Sequence, residues 1–292
     1  MVATVFAARL FAADPQPYDV SLKPTGNAAL DAALKGSSTL LSLQKSAPVG
    51  GFALIERARQ DQQRFQAALQ SFGYYKATVH ITIGGHALDD PTLVSTVDAA
   101  PEKPPLPIEA TFDLGPQFKL GKVTITGDVP ANAAEQLHLK SGQPALAADV
   151  LAAQGRLLNT LRSDGYPLAK VPTPIATLEP ARNLLDVEFQ PDPGRKADIG
   201  PIDFSGMKTI NESYLRRRLQ LHQGDQYSPQ ALNAARRDLT STGVFSSVRA
   251  VPATALDAQG QLPVTFDLTE RPLHAVDLGA AYSTDLGINF TT

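Results

Sequence analysis

Leu69-Gln-Ser71-Phe-Gly73-Tyr74, Leu161-Arg-Ser163-Asp-Gly165-Tyr166 and Leu239-Thr-Ser241-Thr-Gly243-Val244 share one pattern: Leu-x-Ser-x-Gly, then a strand-forming residue. Each closes an apolar-periodic helical stretch with glycine, which takes the left-handed conformation at a helix end without a Cβ penalty. A second marker follows each of them: Thr111-Phe-Asp-Leu-Gly-Pro116, Asp186-Val-Glu-Phe-Gln-Pro191 and Thr265-Phe-Asp-Leu-Thr-Glu270. Two markers in one order, three times over, define a tandem array. Gly127 and Gly206, which end matching short strands, lie 79 residues apart, and Gly165 and Gly243 lie 78 apart. That period is domain-sized, since solenoid units run to about 20–50 residues. Each unit is long enough for a small core of its own.

The third repeat is the cleanest. Ile199-Gly-Pro-Ile202-Asp-Phe204-Ser-Gly206 alternates apolar and polar residues and reads as a short half-buried strand. Asn211 is the N-cap of a first helix whose face carries Tyr214, Leu215, Arg218 and Leu219, with Gly224 as its stop. Ser228-Pro229 supplies a cap and a first-turn proline for a second helix, striped by Leu232, Ala235 and Leu239. Two strands follow, about 244–252 and 262–269. The order is β-α-α-β-β. In the second repeat the same order runs through a strand at 121–127, a short helix around 131–139, a helix carrying Leu146, Val150, Leu157 and Leu161, and a hairpin of 166–175 with 184–189. The first repeat opens with a strand at Tyr18–Leu22, and Ile55, Ala58, Phe65, Leu69 and Phe72 line a helical face. Its surplus length falls in the proline-rich, polar stretch 88–107, read as an extended hairpin loop.

Strand, two antiparallel helices and a hairpin leave the first and last strands of a unit parallel. The last strand then lies centrally and the hairpin's first strand on an edge. The fold class is therefore α+β: three units, each a mixed three-stranded sheet with two helices on one face.

Bulk composition narrows the function by exclusion. A net charge of −3 gives no support to nucleic-acid binding, and zero cysteines remove disulfides and thiol chemistry. No apolar run reaches the ~20 residues of a membrane helix. The five histidines are scattered without helical ligand spacing, so no metal site is expected. Arg216-Arg217-Arg218 points three ways on a helix and reads as a solvated face. No nucleophile–base pair and no phosphate-binding glycine fingerprint stands out. Catalytic, cofactor-binding and metal-binding residues are all expected to be absent. Residues 1–16 are apolar at first and read as a damaged secretory signal ahead of an incidental tail.

After Arg271-Pro272 the pattern changes. Val276, Leu278, Ala280 and Tyr282 alternate with small or polar residues, and the alternation resumes through Leu286, Ile288 and Phe290. That is the pattern of a membrane β-barrel strand, with an ordinary surface hairpin as the alternative. The β-α-α-β-β repeats with a helix-ending glycine before the hairpin resemble POTRA domains, the periplasmic modules of the BamA/TamA superfamily of outer-membrane assembly factors. Three repeats running into Glu270-Arg271-Pro272 and then Gly279-Ala-Ala-Tyr282-Ser-Thr-Asp285-Leu-Gly287 resemble the TamA type. The resemblance divides the chain into 17–116 (first POTRA, with its long loop at 88–107), 117–194, 195–272 and the start of a truncated barrel at 273–292.

What the resemblance implies is a region lying in the periplasm of a Gram-negative bacterium, held to the outer membrane through the missing barrel. Its partners would be a TamB-like inner-membrane protein and unfolded outer-membrane proteins or autotransporters. Independently, exposed edge strands offer unpaired N–H and C=O groups to which an extended chain can add. The expected edges are Thr78, Val79, His80 and Ile81; Lys170 and Val171; and Ser247, Val248, Arg249 and Ala250. Two other readings stand beside this one: the POTRA region of a two-partner secretion transporter, and a freestanding soluble adaptor.

Overall fold

Gly73, Gly165 and Gly243 take φ of 85°, 94° and 74°, the left-handed region each helix end requires. At the first, Tyr74 N donates to Leu69 O (3.0 Å) and Gly73 N to Gln70 O (2.9 Å). At the second, Tyr166 N donates to Leu161 O (3.1 Å) and Gly165 N to Arg162 O (3.2 Å). Gly243 N bonds Thr240 O in the same manner, at 3.2 Å. The recurring five-residue pattern is thus a recurring cap that satisfies the last carbonyls of the helix.

The computed structural model describes residues 15–127, 129–130 and 132–271, and the backbone of 279–283 and 287–291. Two compact units result. The first takes the residues up to Ile125 with His138–Gln154 and Thr173–Phe189; the second takes Thr126–Leu137, Gly155–Pro172 and the residues from Gln190 on.

In the first unit, repeat 1 comprises β1 (Tyr18–Leu22), α1 (Ala28–Ser37), α2 (Thr39–Ser42), α3 (Gly51–Ser71), β2 (Thr78–Ile83), β3 (His86–Ala87), α4 (Leu93–Asp98) and β4 (Leu106–Asp113). The sheet order is β1-β4-β2-β3, with β1 parallel and β2 antiparallel to the central β4. Leu30, Leu34, Leu54, Phe65 and Leu69 from the helices pack on Ile81, Ile83 and Ile108 of the sheet. The expected loop at 88–107 is more than a loop. Leu93 and Val97, four residues apart, are both buried, so the segment coils into α4 and packs on α3. The sheet accordingly gains a fourth strand, β3, through the Gly84-Gly85 turn at φ 59° and 84°.

The Asp61 carboxylate lies fully inside this core, beside the buried Ser38. Asp61, on α3, accepts from Ser38 Oγ (2.7 Å) and Leu40 N (2.9 Å) with one oxygen. Its other oxygen accepts from Thr39 N (2.9 Å), Thr39 Oγ1 (2.7 Å) and Arg64 Nη1 (2.9 Å). A carboxylate from the long helix thereby caps the N-terminus of α2 and meets the dipole there with negative charge.

The middle repeat supplies β5 (Lys119–Ile125), α5 (Ala133–Gln136), α6 (Ala147–Ser163), β6 (Ile175–Glu179) and β7 (Leu184–Phe189), with sheet order β5-β7-β6. Its hairpin departs from the expected 166–175. Pro172 and Pro174 withhold N–H groups from any ladder, so pairing with β7 starts only at Ile175. Repeat 3, in the second unit, comprises β8 (Ile199–Ser205), α7 (Glu212–Arg218), α8 (Pro229–Ser241), β9 (Phe245–Pro252) and β10 (Leu262–Glu270), ordered β8-β10-β9. Asn211 and Ser228 cap α7 and α8 by accepting from Ser213 N and Ala231 N. Ile199, Leu215, Leu239, Phe245 and Phe266 form its core.

Consecutive repeats are joined in one way within each unit. In the first, Phe118 N donates to Gly73 O (2.8 Å) and Phe118 O accepts from Ala145 N (2.9 Å). Tyr75 meets the buried Phe118 ring edge-on at 5.2 Å. Lys76 Nζ stands 5.7 Å from that ring and donates to Pro180 O and Asn183 Oδ1, both at 2.8 Å. In the second, Ala197 N donates to Gly165 O (3.0 Å), and Lys196 Nζ stands 5.2 Å from the Tyr166 ring. The carbonyl of a helix-ending glycine thus receives the chain that opens the next repeat.

At the far end of β10, Glu270 gathers the segment leading to α7. Its carboxylate accepts from Thr209 Oγ1 (2.6 Å), Lys208 N (2.7 Å), Thr209 N (2.9 Å) and Ile210 N (3.1 Å). The Thr209 hydroxyl first, then these amides, lower its pKa from 4.5 to about 2. A carboxylate depressed in the folded state stabilises fully above its unfolded value and loses that contribution as pH falls through the folded one. In urea melts, the stability difference between wild type and Glu270→Gln should therefore hold above pH 4.5 and shrink progressively toward pH 2.

Gly279–Ser283 (β11) and Gly287–Thr291 (β12) pair antiparallel, Tyr282 opposite Ile288. The signal-like segment falls almost wholly outside the described residues, as do 272–278 and 284–286 of the expected barrel entry. Among the described residues no helix is long and apolar enough to cross a membrane.

Candidate strand-pairing edges

Backbone parity decides which groups each edge offers. In an antiparallel pair, residues alternate between bonding the partner strand and turning their N–H and C=O away. Ala253 N donates to Pro263 O (2.8 Å), so Val251, Arg249 and Ser247 bond toward β10. Val248 and Ala250 turn theirs outward. Among the described residues no strand lies on that side of β9. Beside it runs an open groove of about 510 Å³, bounded by Tyr227, Pro229, Leu232, Asn233 and Arg236 and by 247–250 of the strand. Arg249, on the other face, pairs with Asp267 across the ladder at 3.0 Å. The Ser205 hydroxyl and then Arg249 hold the Asp267 pKa below its ordinary value. The expected residues Ser247, Val248, Arg249 and Ala250 therefore all sit on one strand with a free flank.

Repeat 1 differs. Gly84 N donates to Pro107 O (2.8 Å), which places Ala77, Val79, Ile81 and Ile83 outward and Thr78 and His80 toward β4. Ile83 is met by β3. Val79 O accepts from Gln62 Nε2 (2.9 Å) and Ala77 O from Gln66 Nε2 (3.0 Å). The neighbouring groove, about 570 Å³, includes Arg59, Gln62 and Gln63 on α3 and 80–82 on β2. So Thr78–Ile81 belong to an edge that the protein's own side chains and β3 partly cover.

In the middle repeat the expectation fails. Lys170 and Val171 are not on an edge strand: Lys170 forms an isolated bridge, donating to Asp192 O and accepting from Asp192 N, both at 2.8 Å. The Val171-Pro172-Thr173-Pro174 run prevents the ladder from extending. The edge strand is β6 instead, where Ile175 and Leu178 are 49% and 42% exposed. Two apolar side chains inside a Pro-bounded segment were the signal available for it.

Comparison with known proteins decides what these units are. Residues 197–271 match the POTRA family, the surface antigen variable number repeat. The third repeat is a POTRA domain. The other two repeats share its strand order about a central last strand, so the chain has the fold of a tandem POTRA array. It is 24% identical over 240 residues to the outer membrane protein assembly factor BamA of Neisseria meningitidis serogroup B (strain ATCC BAA-335 / MC58), covering 80% of this chain and 28% of that protein. The BamA of Neorickettsia risticii (strain Illinois) is 23% identical over 178 residues, 59% of this chain and 23% of that one. The chain thus spans about a quarter of the length of these curated relatives. The crystal structure of Haemophilus influenzae BamA POTRA3-5 superposes with a TM-score of 0.50 at 17% identity, over 88% of this chain and 96% of that one. β2 and β9 occupy equivalent places: each is the first strand of its hairpin and packs on the helix that the glycine ends, β2 on α3 and β9 on α8.

Proposed function

We propose that this POTRA array is the periplasmic portion of an outer-membrane protein assembly or translocation factor, acting by binding rather than by catalysis. Unfolded β-clients add as a strand to the free flank of β9. The observation that carries this reading is the outward-turned backbone of Val248 and Ala250 beside an open groove. Backbone pairing is largely blind to sequence, which suits one site serving many clients. The relatives named for outer-membrane assembly support the role. The narrower TamA-type reading, with a TamB-like partner at the inner membrane, rests on the likeness of Glu270-Arg271-Pro272 and Gly279-Ala-Ala-Tyr282-Ser-Thr-Asp285-Leu-Gly287 to a TamA-type barrel entry.

The test is photocrosslinking from a photoreactive residue at Val248 in cells carrying the full-length protein. Ala250→Pro removes an outward N–H without touching the bonds to β10. Adducts with unfolded outer-membrane proteins should fall roughly tenfold, about the worth of one hydrogen bond and a blocked approach. Equal adducts from a folded Ala250→Pro protein would rule out strand addition at β9.

A further inference from the structure

We propose that Gln62 and Gln66 form a latch that closes the β2 edge of the first POTRA domain, so that the array offers β9 and withholds β2. The inference rests on the strand-addition reading above and adds to it a reason for choice among edges. Gln62 and Gln66 lie eleven and seven residues before Gly73; Leu232 and Arg236 hold the same places before Gly243. The two helices present these positions to equivalent strands, and the outcomes differ. On α3 both amides donate to outward carbonyls, Val79 O at 2.9 Å and Ala77 O at 3.0 Å. On α8, Leu232 is buried apolar surface with no polar group to offer, and Arg236 donates to no carbonyl of β9 among the described residues.

The geometry makes the glutamines internal competitors. An incoming strand pairs by placing its N–H groups on outward carbonyls at every second residue. Those of Ala77 and Val79 already hold a donor in that place, and Ile83 is met by β3. Only Ile81 is left between them, too short a run for a stable ladder. The i, i+4 spacing suits this task, because it repeats at about the rise of two strand residues. A glutamine reaches the carbonyl through a flexible stem, so the block is reversible.

The test uses the full chain with one introduced cysteine, at His80 or at Ser247, since the protein has none of its own. The probe is a ten-residue synthetic peptide of alternating apolar and polar residues carrying one cysteine. Disulfide capture is measured for wild type, Gln62→Ala/Gln66→Ala and Gln62→Met/Gln66→Met. The methionine pair keeps stem and volume while removing the donors, so it reports even if the alanine pair loses packing. Circular dichroism checks that each variant is folded. Capture at Ser247 should be the same in all three, and capture at His80 should rise about tenfold in both double variants, the worth of one net hydrogen bond. Capture at Ser247 with no rise at His80 in either folded variant would overturn the latch and leave strand addition standing. Capture at neither position in any form would remove both.

Discussion

Asp61→Ala should cost the first repeat about 3 kcal/mol or more, the scale of breaking a buried charged network on one side. The carboxylate is wholly buried and accepts five hydrogen bonds, four of them from Ser38, Thr39 and Leu40. Alanine leaves those donors without their shared acceptor, those of Ser38 and Leu40 in a buried place. It also removes the negative charge from the start of α2. Asp61→Asn keeps the shape yet turns one acceptor into a donor among donors, so it should fall between wild type and alanine. Urea unfolding followed by tyrosine fluorescence, in a chain without tryptophan, gives the ranking. Hydrogen exchange should place the loss in 15–113. Equal stability of the three proteins would show that the cap contributes little net energy.

Gly206→Ala should damage the third domain on a similar scale, about 3 kcal/mol, by a different route. Gly206 has φ +77°, and an added Cβ would fall on the Leu268 carbonyl oxygen of the central strand. Backbone cannot step aside as a side chain does, so β8 and β10 must part or shift register there. Gly127 holds the matching place in the middle domain, but a Cβ there would meet only Pro191 O at 3.5 Å, an ordinary contact. Gly127→Ala should therefore cost only backbone strain, about 1 kcal/mol. Thermal melts of the two variants separate the terms, and similar losses would show that the close approach at Leu268 is relieved easily.

Much of this architecture is legible because it follows from local chemistry. Glycine-closed helices, the Asn211 and Ser228 caps, and the stripes Ile55–Ala58–Phe65–Leu69 and Leu232–Ala235–Leu239 each depend on residues a few positions apart. Where reading fails, the deciding contact is distant or the signal brief. Asp61 looks like a solvated helix residue until one sees that it falls on the buried stripe, three residues after Ala58 and four before Phe65. The α4 turn hides in proline-rich sequence with only Leu93 and Val97 to betray it. The middle hairpin slips because two prolines outweigh the apolar residues around them. The edges are the hardest part. Gln62 and Gln66 lie off the apolar stripe of α3, and the parity of β2 shows that they touch its outward carbonyls.

The joint between repeats has a bearing on how such chains grow. Its acceptor is the carbonyl of a helix-ending glycine, and its donor is an amide at the threshold of the following first strand. The middle repeat therefore carries both halves of the coupling, the donor at its start and the acceptor at the end of its long helix. Duplicating or deleting that repeat leaves a matching backbone donor and acceptor at the new boundary. Gene length can then change in steps of a single domain while each junction stays intact. A family described as a variable number repeat is what such self-mating ends would produce.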